Sequence, residues 1–370
     1  MKNAIILFLL FVFIQAANAQ IINSPGGKLS LSFSLSENGE PLYSLSIGKK
    51  TVLKPGHLGI KLEGQADFIK GFSVSAADTT SKDETWNPVW GEVKEIRSRY
   101  KELAVTLNQA GNDNRKIIIR FRLFDDGLGF RYEFPEQKGL QYFTVTDEVT
   151  EFNLTGDHKT FWIPGDYDSN EYDYSVTPLS RVNALRGNTS AEISVKTLVA
   201  DICVQTPLMM KTTDGLYINI HEAALVNYPA MNLLVNKASF CLTSQLVPNA
   251  VGTKAYLQTP CHTPWRTVIV SDKAADILAS KMILNLNEPS KISDVSWIKP
   301  MKYVGIWWGM HVGTMSWNYA DVRNVKIGET DWTKLTPNGR HGATTENTKK
   351  YIDFAASHHM DGVLVEGWNI

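Results

Sequence analysis

Over most of the chain, apolar and polar residues exchange places at every second position. Leu29, Leu31, Phe33 and Leu35 alternate with serines, Asn38-Gly39 turns the chain, and Leu42, Ser44, Ser46 and Ile47 run back. A period of two puts successive side chains on opposite faces of a strand, and Asn-Gly between two such runs marks a hairpin. The pattern predicts further strands over 93–99, 103–107, 117–124 and 129–134, with turns at Asn112-Asp113-Asn114 and Asp125-Asp126-Gly127. More follow over 193–199, 216–221, 239–246 and 254–257. The first convincing helix falls at Ala274–Met282. Many short strands with turn signals and so few helices predict a mainly β fold, a large antiparallel sandwich of several layered sheets.

The pattern changes near residue 290. Tyr303 to Trp308 and Gly362 to Val365 are short runs apolar on both faces, which suits parallel strands buried on both sides. Between them, Thr344 to His358 reads as a helix: a threonine to cap it, Glu346 in its first turn, and Tyr351, Ile352 and Ala355 as an apolar stripe. Strand, helix and parallel strand make a βαβ unit, so the chain reads as mainly β and then α/β. The expected organisation is a leader at 1–19, a sandwich domain at 20–298 and an α/β segment at 299–370. In βαβ folds the chemistry sits beyond the carboxyl ends of the strands. Here those ends carry Trp307, Trp308, His311, Glu366, Trp368 and Asn369. The connection from Gly309 to Ala343, about 35 residues, is long enough to wall a pocket.

The first residues form an export signal: Lys2, the apolar run Ala4 to Ile14, and Ala17-Asn18-Ala19 as the cleavage site. This predicts an exported, periplasmic protein that does not stay in the membrane, since that run is too short to span a bilayer and no later one is long enough. A formal net charge of −1 with 20% charged residues gives no pull toward nucleic acid or anionic membranes. Three cysteines, Cys203, Cys241 and Cys261, allow at most one disulfide and rule out a disulfide scaffold. Ten Trp and thirteen Tyr are a heavy aromatic load, suited to packing and to flat sugar faces.

Among candidate residues, Glu366 closes a strand where a general acid, a base or a ligand would stand, and a strand-end salt bridge is the competing role. Trp307 and Trp308 present at most one ring to a core if the strand alternates, leaving the other for a sugar platform or for packing beneath helices. His311 lies just past that strand and suits an ordinary hydrogen-bonded loop histidine. Gly309 leaves room for a larger side chain. Glu222, at the end of a strand reading Tyr217-Ile218-Asn219-Ile220-His221-Glu222, is structural by its residues alone, because Ca²⁺ needs six to eight oxygens. Asp166, Asp168, Glu171 and Asp173 form an acidic loop that suits a cation, a sugar or a solvated turn. Zinc, nucleophilic-serine, P-loop and dinucleotide fingerprints are absent from the sequence.

A set of motifs then runs through the mature chain in order. They are Trp86-Asn87-Pro88-Val89-Trp90-Gly91-Glu92, Asp126-Gly127-Leu128-Gly129-Phe130-Arg131-Tyr132 and His221-Glu222-Ala223-Ala224-Leu225, then Thr263-Pro264-Trp265-Arg266-Thr267 and Leu284-Asn285-Leu286-Asn287-Glu288-Pro289. Lys302-Tyr303-Val304-Gly305-Ile306-Trp307-Trp308, His341-Gly342-Ala343 and Val365-Glu366-Gly367-Trp368-Asn369 complete the series. Together they resemble glycoside hydrolase family 97, the α-glucosidases and α-galactosidases related to SusB. The resemblance implies an N-terminal β-super-sandwich, followed here by the first βαβ unit of an incomplete (β/α)8 barrel. It implies hydrolysis of terminal α-linked sugars by two carboxyl groups, and Ca²⁺ held between sandwich and barrel with one glutamate from the sandwich, for which Glu222 is the match. Trp307, Trp308, His311, Glu366 and Trp368 would shape the substrate pocket. A barrel takes about 250 residues, whereas 70 follow Pro300. The expectation is therefore an amino-terminal fragment, inactive alone, whose catalytic acid and base lie beyond residue 370. A non-catalytic carbohydrate-binding sandwich is the alternative.

Overall fold

A computed structural model of the chain describes residues 19–111, 114–186, 197–320, 328–336 and 338–365. It divides into two compact units, residues 1–87 with 95–290, and residues 88–94 with 291–370. The leader residues read before Ala19 lie outside the described part, as do Glu366, Trp368, Asn369 and most of the strand expected at 193–199.

The first unit is the expected layered antiparallel sandwich, built from sheets of eight, three and ten strands. Leu29–Leu35 pairs with Pro41–Ile47 in the predicted hairpin, Leu29 opposite Ile47 and Leu35 opposite Pro41. Its turn needs Gly39, which stands at φ +71° with no space for a Cβ against the Phe72 backbone at 2.5 Å. Alternate residues of the sheets meet in one continuous core. Phe33 of the eight-stranded sheet packs on Phe121 of the ten-stranded sheet (centroids 5.8 Å apart), Tyr43 on Phe130 (5.0 Å), and Phe134 on Phe143 of the three-stranded sheet (4.8 Å). The central strand Trp265–Ser271 is buried along its whole length, so both of its faces are covered.

Two strands expected at 93–99 and 103–107 are in fact one, Ile96–Gln109. Its alternation continues through Ser98, Tyr100 and Glu102, whose buried polar atoms and rings take the place of aliphatic residues on one face. It pairs with a strand the pattern did not reveal, Phe72–Trp86, which forms one edge of the ten-stranded sheet and is exposed from Ser73 to Thr85. Nothing alternates in a strand with water on both sides, so periodicity gave no signal there.

The helix expected over Ala274–Met282 is broken at Ser280 into Ala274–Ala279 and Met282–Asn285. The second piece brings Met282 and Leu286 onto Trp265, Ile269, Phe124 and Tyr100, on the face of the large sheet turned away from the main core. A Cβ on Gly127 would stand 2.5 Å from the Val268 carbonyl and 2.8 Å from Met282 Sδ, and one on Gly129 would stand 2.7 Å from the Leu286 side chain. Ser280 donates to Asp126 (2.7 Å), and Trp86 Nε1 donates to Asn285 (2.9 Å). Two sequence motifs far apart in the chain therefore make a single clasp.

The second unit is a βαβ unit. Tyr303–Gly305 and Gly362–Leu364 pair in parallel, Val304 opposite Val363. Between them lies the helix Thr345–Ser357, capped by the Thr344 hydroxyl, which accepts from Asn347 N–H at 3.2 Å. The first strand is shorter than expected. Its backbone leaves the ladder after Gly305, and Trp308–His311 forms a helical turn. The Trp307 ring folds back over Gly305 so closely that a Cβ there would be 2.2 Å from it. Nor are these strands buried on both sides: Tyr303 and Leu364 are exposed, because the described residues supply each strand with one partner and one covering helix.

Candidate functional site

In the second unit, two of the residues that the sequence marked, Trp308 and His311, lie on the helical turn that follows the first strand. Trp308 and His311 sit one helical turn apart with their rings edge to face, centroids 5.8 Å apart. Trp308 lines a hollow of about 390 Å³ with Val304, Tyr351, Phe354 and the stem of Lys350. Trp307 is half-buried against its own strand. The two rings thus diverge, as the departure from the ladder at Gly305 requires. Gly309 does not leave the open space expected of it: Met315 fills it, with Sδ 2.7 Å from where a Cβ would stand. Glu366 and Trp368 fall outside the described residues.

In the first unit, Glu222 does not face open solvent or a cavity. It stands directly across from Arg266 in the antiparallel ladder. Arg266 Nη1 donates to Glu222 Oε2 at 2.5 Å, and Met231 N–H donates to Glu222 Oε1 at 3.1 Å. The same guanidinium donates through Nε and Nη2 to both oxygens of Glu148, each at 2.8 Å, a bidentate fork. Thr150 and Tyr228 hydroxyls donate to Glu148 as well (2.8 and 3.2 Å). Arg266 and Glu148 are fully buried. Burial works against charge on Arg266, but Glu148 and Glu222 outweigh it and hold the guanidinium protonated. Burial pushes the Glu222 carboxyl above its ordinary range, with Arg266 pulling the other way. The described residues contain no group of three His, Cys, Asp or Glu that could hold a metal ion.

In the acidic loop, Asp166 and Asp168 are committed to internal bonds. Burial raises the Asp166 carboxyl, but the Tyr172 hydroxyl (2.6 Å) and the N–H groups of Asp168, Ser169 and Thr197 (2.8, 3.0 and 2.8 Å) outweigh it and keep Asp166 ionised. Asp168 accepts from the Thr197 hydroxyl. All three cysteines are free, and burial pushes Cys203 up to about 12 and Cys241 and Cys261 up to about 11, which keeps them as thiols.

Sequence reasoning gave Arg266 and Glu148 no role. A signal for Arg266 was present: it is the single charge in the otherwise uncharged run Trp265–Ser271. A charge in such a strand needs a buried partner.

A family model described as glycosyl-hydrolase 97 N-terminal matches residues 22–289, and one described as glycoside hydrolase 97 matches residues 307–370. The chain belongs to glycoside hydrolase family 97. Among solved family 97 structures, the enzyme from Pseudoalteromonas sp. strain K8 in complex with acarbose is similar over 94% of this chain and 47% of its own. The two share 37% identity and a TM-score of 0.78. The retaining alpha-galactosidase of Bacteroides thetaiotaomicron is 24% identical over 96% of this chain and 51% of its own length. A beta-arabinopyranosidase shares the fold at 19% identity, with a TM-score of 0.70. This family 97 chain spans about half the length of the relatives it matches.

Proposed function

We propose that the chain is the amino-terminal part of an exported, periplasmic exo-acting α-glycosidase that removes terminal α-linked glucose or galactose from oligosaccharides. The observation that carries this reading is the succession of the two family 97 matches along one chain, the first over the sandwich and the second over the βαβ unit. A Pseudoalteromonas family 97 structure in complex with panose has the same 37% identity as the acarbose complex. Acarbose and panose are α-linked glucosides or their mimics, whereas the retaining alpha-galactosidase is 24% identical. We therefore favour the α-glucoside.

In the longer protein, the strand ends of the barrel would carry an acid to protonate the leaving oxygen and a second carboxylate on the other side of the bond, about 5 Å away for retention or 6.5–9.5 Å for inversion. Trp307, Trp308, His311, Glu366 and Trp368 would wall the sugar site beside them. Calcium dependence belongs to the same reading and rests on the resemblance alone.

The test compares the purified 20–370 chain with the protein isolated from its native host, on aryl α-glucoside and α-galactoside, with CaCl₂ or EGTA. The expected result is hydrolysis by the native-host protein, faster with calcium and on the glucoside, and none by 20–370. Turnover by 20–370 would overturn its proposed inactivity. Oligosaccharide binding with no turnover in either preparation would favour the carbohydrate-binding module instead.

A further inference from the structure

We infer that Glu222 is the internal counter-ion of a buried cluster that ties the three sheets of the sandwich together, and that it is not a ligand for a cation. The cluster draws on all three sheets. Arg266 and Glu222 come from the ten-stranded sheet, Glu148 from the three-stranded sheet, and the Met231 N–H from the eight-stranded sheet. Ser244, also of the eight-stranded sheet, donates its hydroxyl to the Glu148 carbonyl and accepts from Thr150 N–H, which closes the loop. Tyr132 joins through its hydroxyl, shared with Thr150 at 2.8 Å, and accepts from Gly59 N–H at 3.1 Å.

Each oxygen of Glu222 already has a donor, one of them a charged guanidinium that the solvent does not reach. Turning the carboxylate toward a metal would strand Arg266 Nη1 and the Met231 N–H without partners, and a buried donor left unmade costs its whole desolvation penalty. A calcium ion would also need five or more further oxygens around the same carboxylate. The side chains within hydrogen-bonding reach here are instead a cation and hydroxyls that point at Glu148.

The inference is independent of the glycosidase reading, because it is read by melting and not by turnover. The experiment follows thermal unfolding of the 20–370 chain and its Glu222→Gln variant in EGTA and in excess CaCl₂. Glu222→Gln is expected to lower Tm by roughly 5–10 °C in EGTA, and to leave any calcium-induced rise the same size as in the parent, including none. An unchanged Tm in EGTA, or loss of a calcium-induced rise that the parent shows, would overturn the inference. Should Glu222→Gln fail to fold, Glu222→Asp, which keeps the charge but withdraws it from Arg266, is read the same way. Tyr228→Phe, which removes a donor to Glu148 only, should lower Tm by less and leave the calcium response unaltered, and a changed calcium response in it would equally count against the inference.

Discussion

The two units are built by different economies of burial. In the sandwich, rings and aliphatic chains from three sheets meet in one core, and one set of buried polar groups is tied into a network around Arg266. In the βαβ unit, the buried apolar residues among those described are Ile306, Ala320 and Ala355. Tyr303, Trp308, Ile352, Phe354 and Leu364 all reach solvent there. Sandwich stability is therefore a cooperative property of packing and a few irreplaceable buried groups, whereas the second unit rests on local terms such as a helix cap and two short strands.

That contrast can be broken by substitution. The largest effect should come from Arg266→Ala, which abandons two buried carboxylates: a loss of about 3–5 kcal/mol in denaturant unfolding of the chain. A loss under about 1 kcal/mol would mean that the network is incidental to the sandwich. Next comes the clasp. Gly127→Ala places a methyl against the Val268 carbonyl, a backbone atom that cannot swing aside, and should cost about 1–3 kcal/mol by the same measurement. In the second unit, Thr344→Ala removes the cap of Thr345–Ser357 and should cost about 1 kcal/mol. Hydrogen exchange should quicken in that helix and not in the strand Trp265–Ser271, and equal acceleration in both would show the units to be one cooperative body.

The smallest effect concerns pH. Burial lowers the pKa of His158, whose Nδ1 has no partner and whose Nε2 is 3.2 Å from Thr155 Oγ1. The folded chain thus resists a proton that the unfolded chain accepts below its ordinary value of 6.5. Stability is then complete above that pH and falls as the pH drops through it toward the lower folded pKa. His158→Gln should flatten the unfolding free energy between about pH 7 and pH 5.5, and an unchanged slope would assign the acid sensitivity to other groups.

What was legible in the sequence follows the same division. The hairpin at Leu29–Ile47 and the helix at Thr345–Ser357 were readable because alternation, an Asn-Gly turn and a threonine cap are local causes. The edge strand Phe72–Trp86 was not, because a strand wet on both faces has no pattern to show. The course of the tryptophan pair was not either: six apolar residues in a row fit a strand or the start of a helix equally, and only the ring of Trp307 lying over Gly305 decides it. For the candidate site, the family motifs led to Glu222 and included Arg266, but gave no sign of the Glu148 that binds it. Glu148 lies 118 residues from Arg266 in sequence, and no local spacing connects them.

The edge strand Phe72–Trp86 also bears on how molecules of this protein meet one another. A ladder of fifteen residues with one side open is the kind of template on which a second chain could condense. Along it the register slips between Val74 and Ala76, and Asp78, Lys82, Asp83 and Glu84 follow, with Arg97 clamped to Asp83 at 2.7 Å. The slip spoils the match to a flat partner, and the charges keep water attached to the rim. At high concentration, edge-to-edge association through this strand is therefore opposed by a handful of charged side chains on its exposed faces.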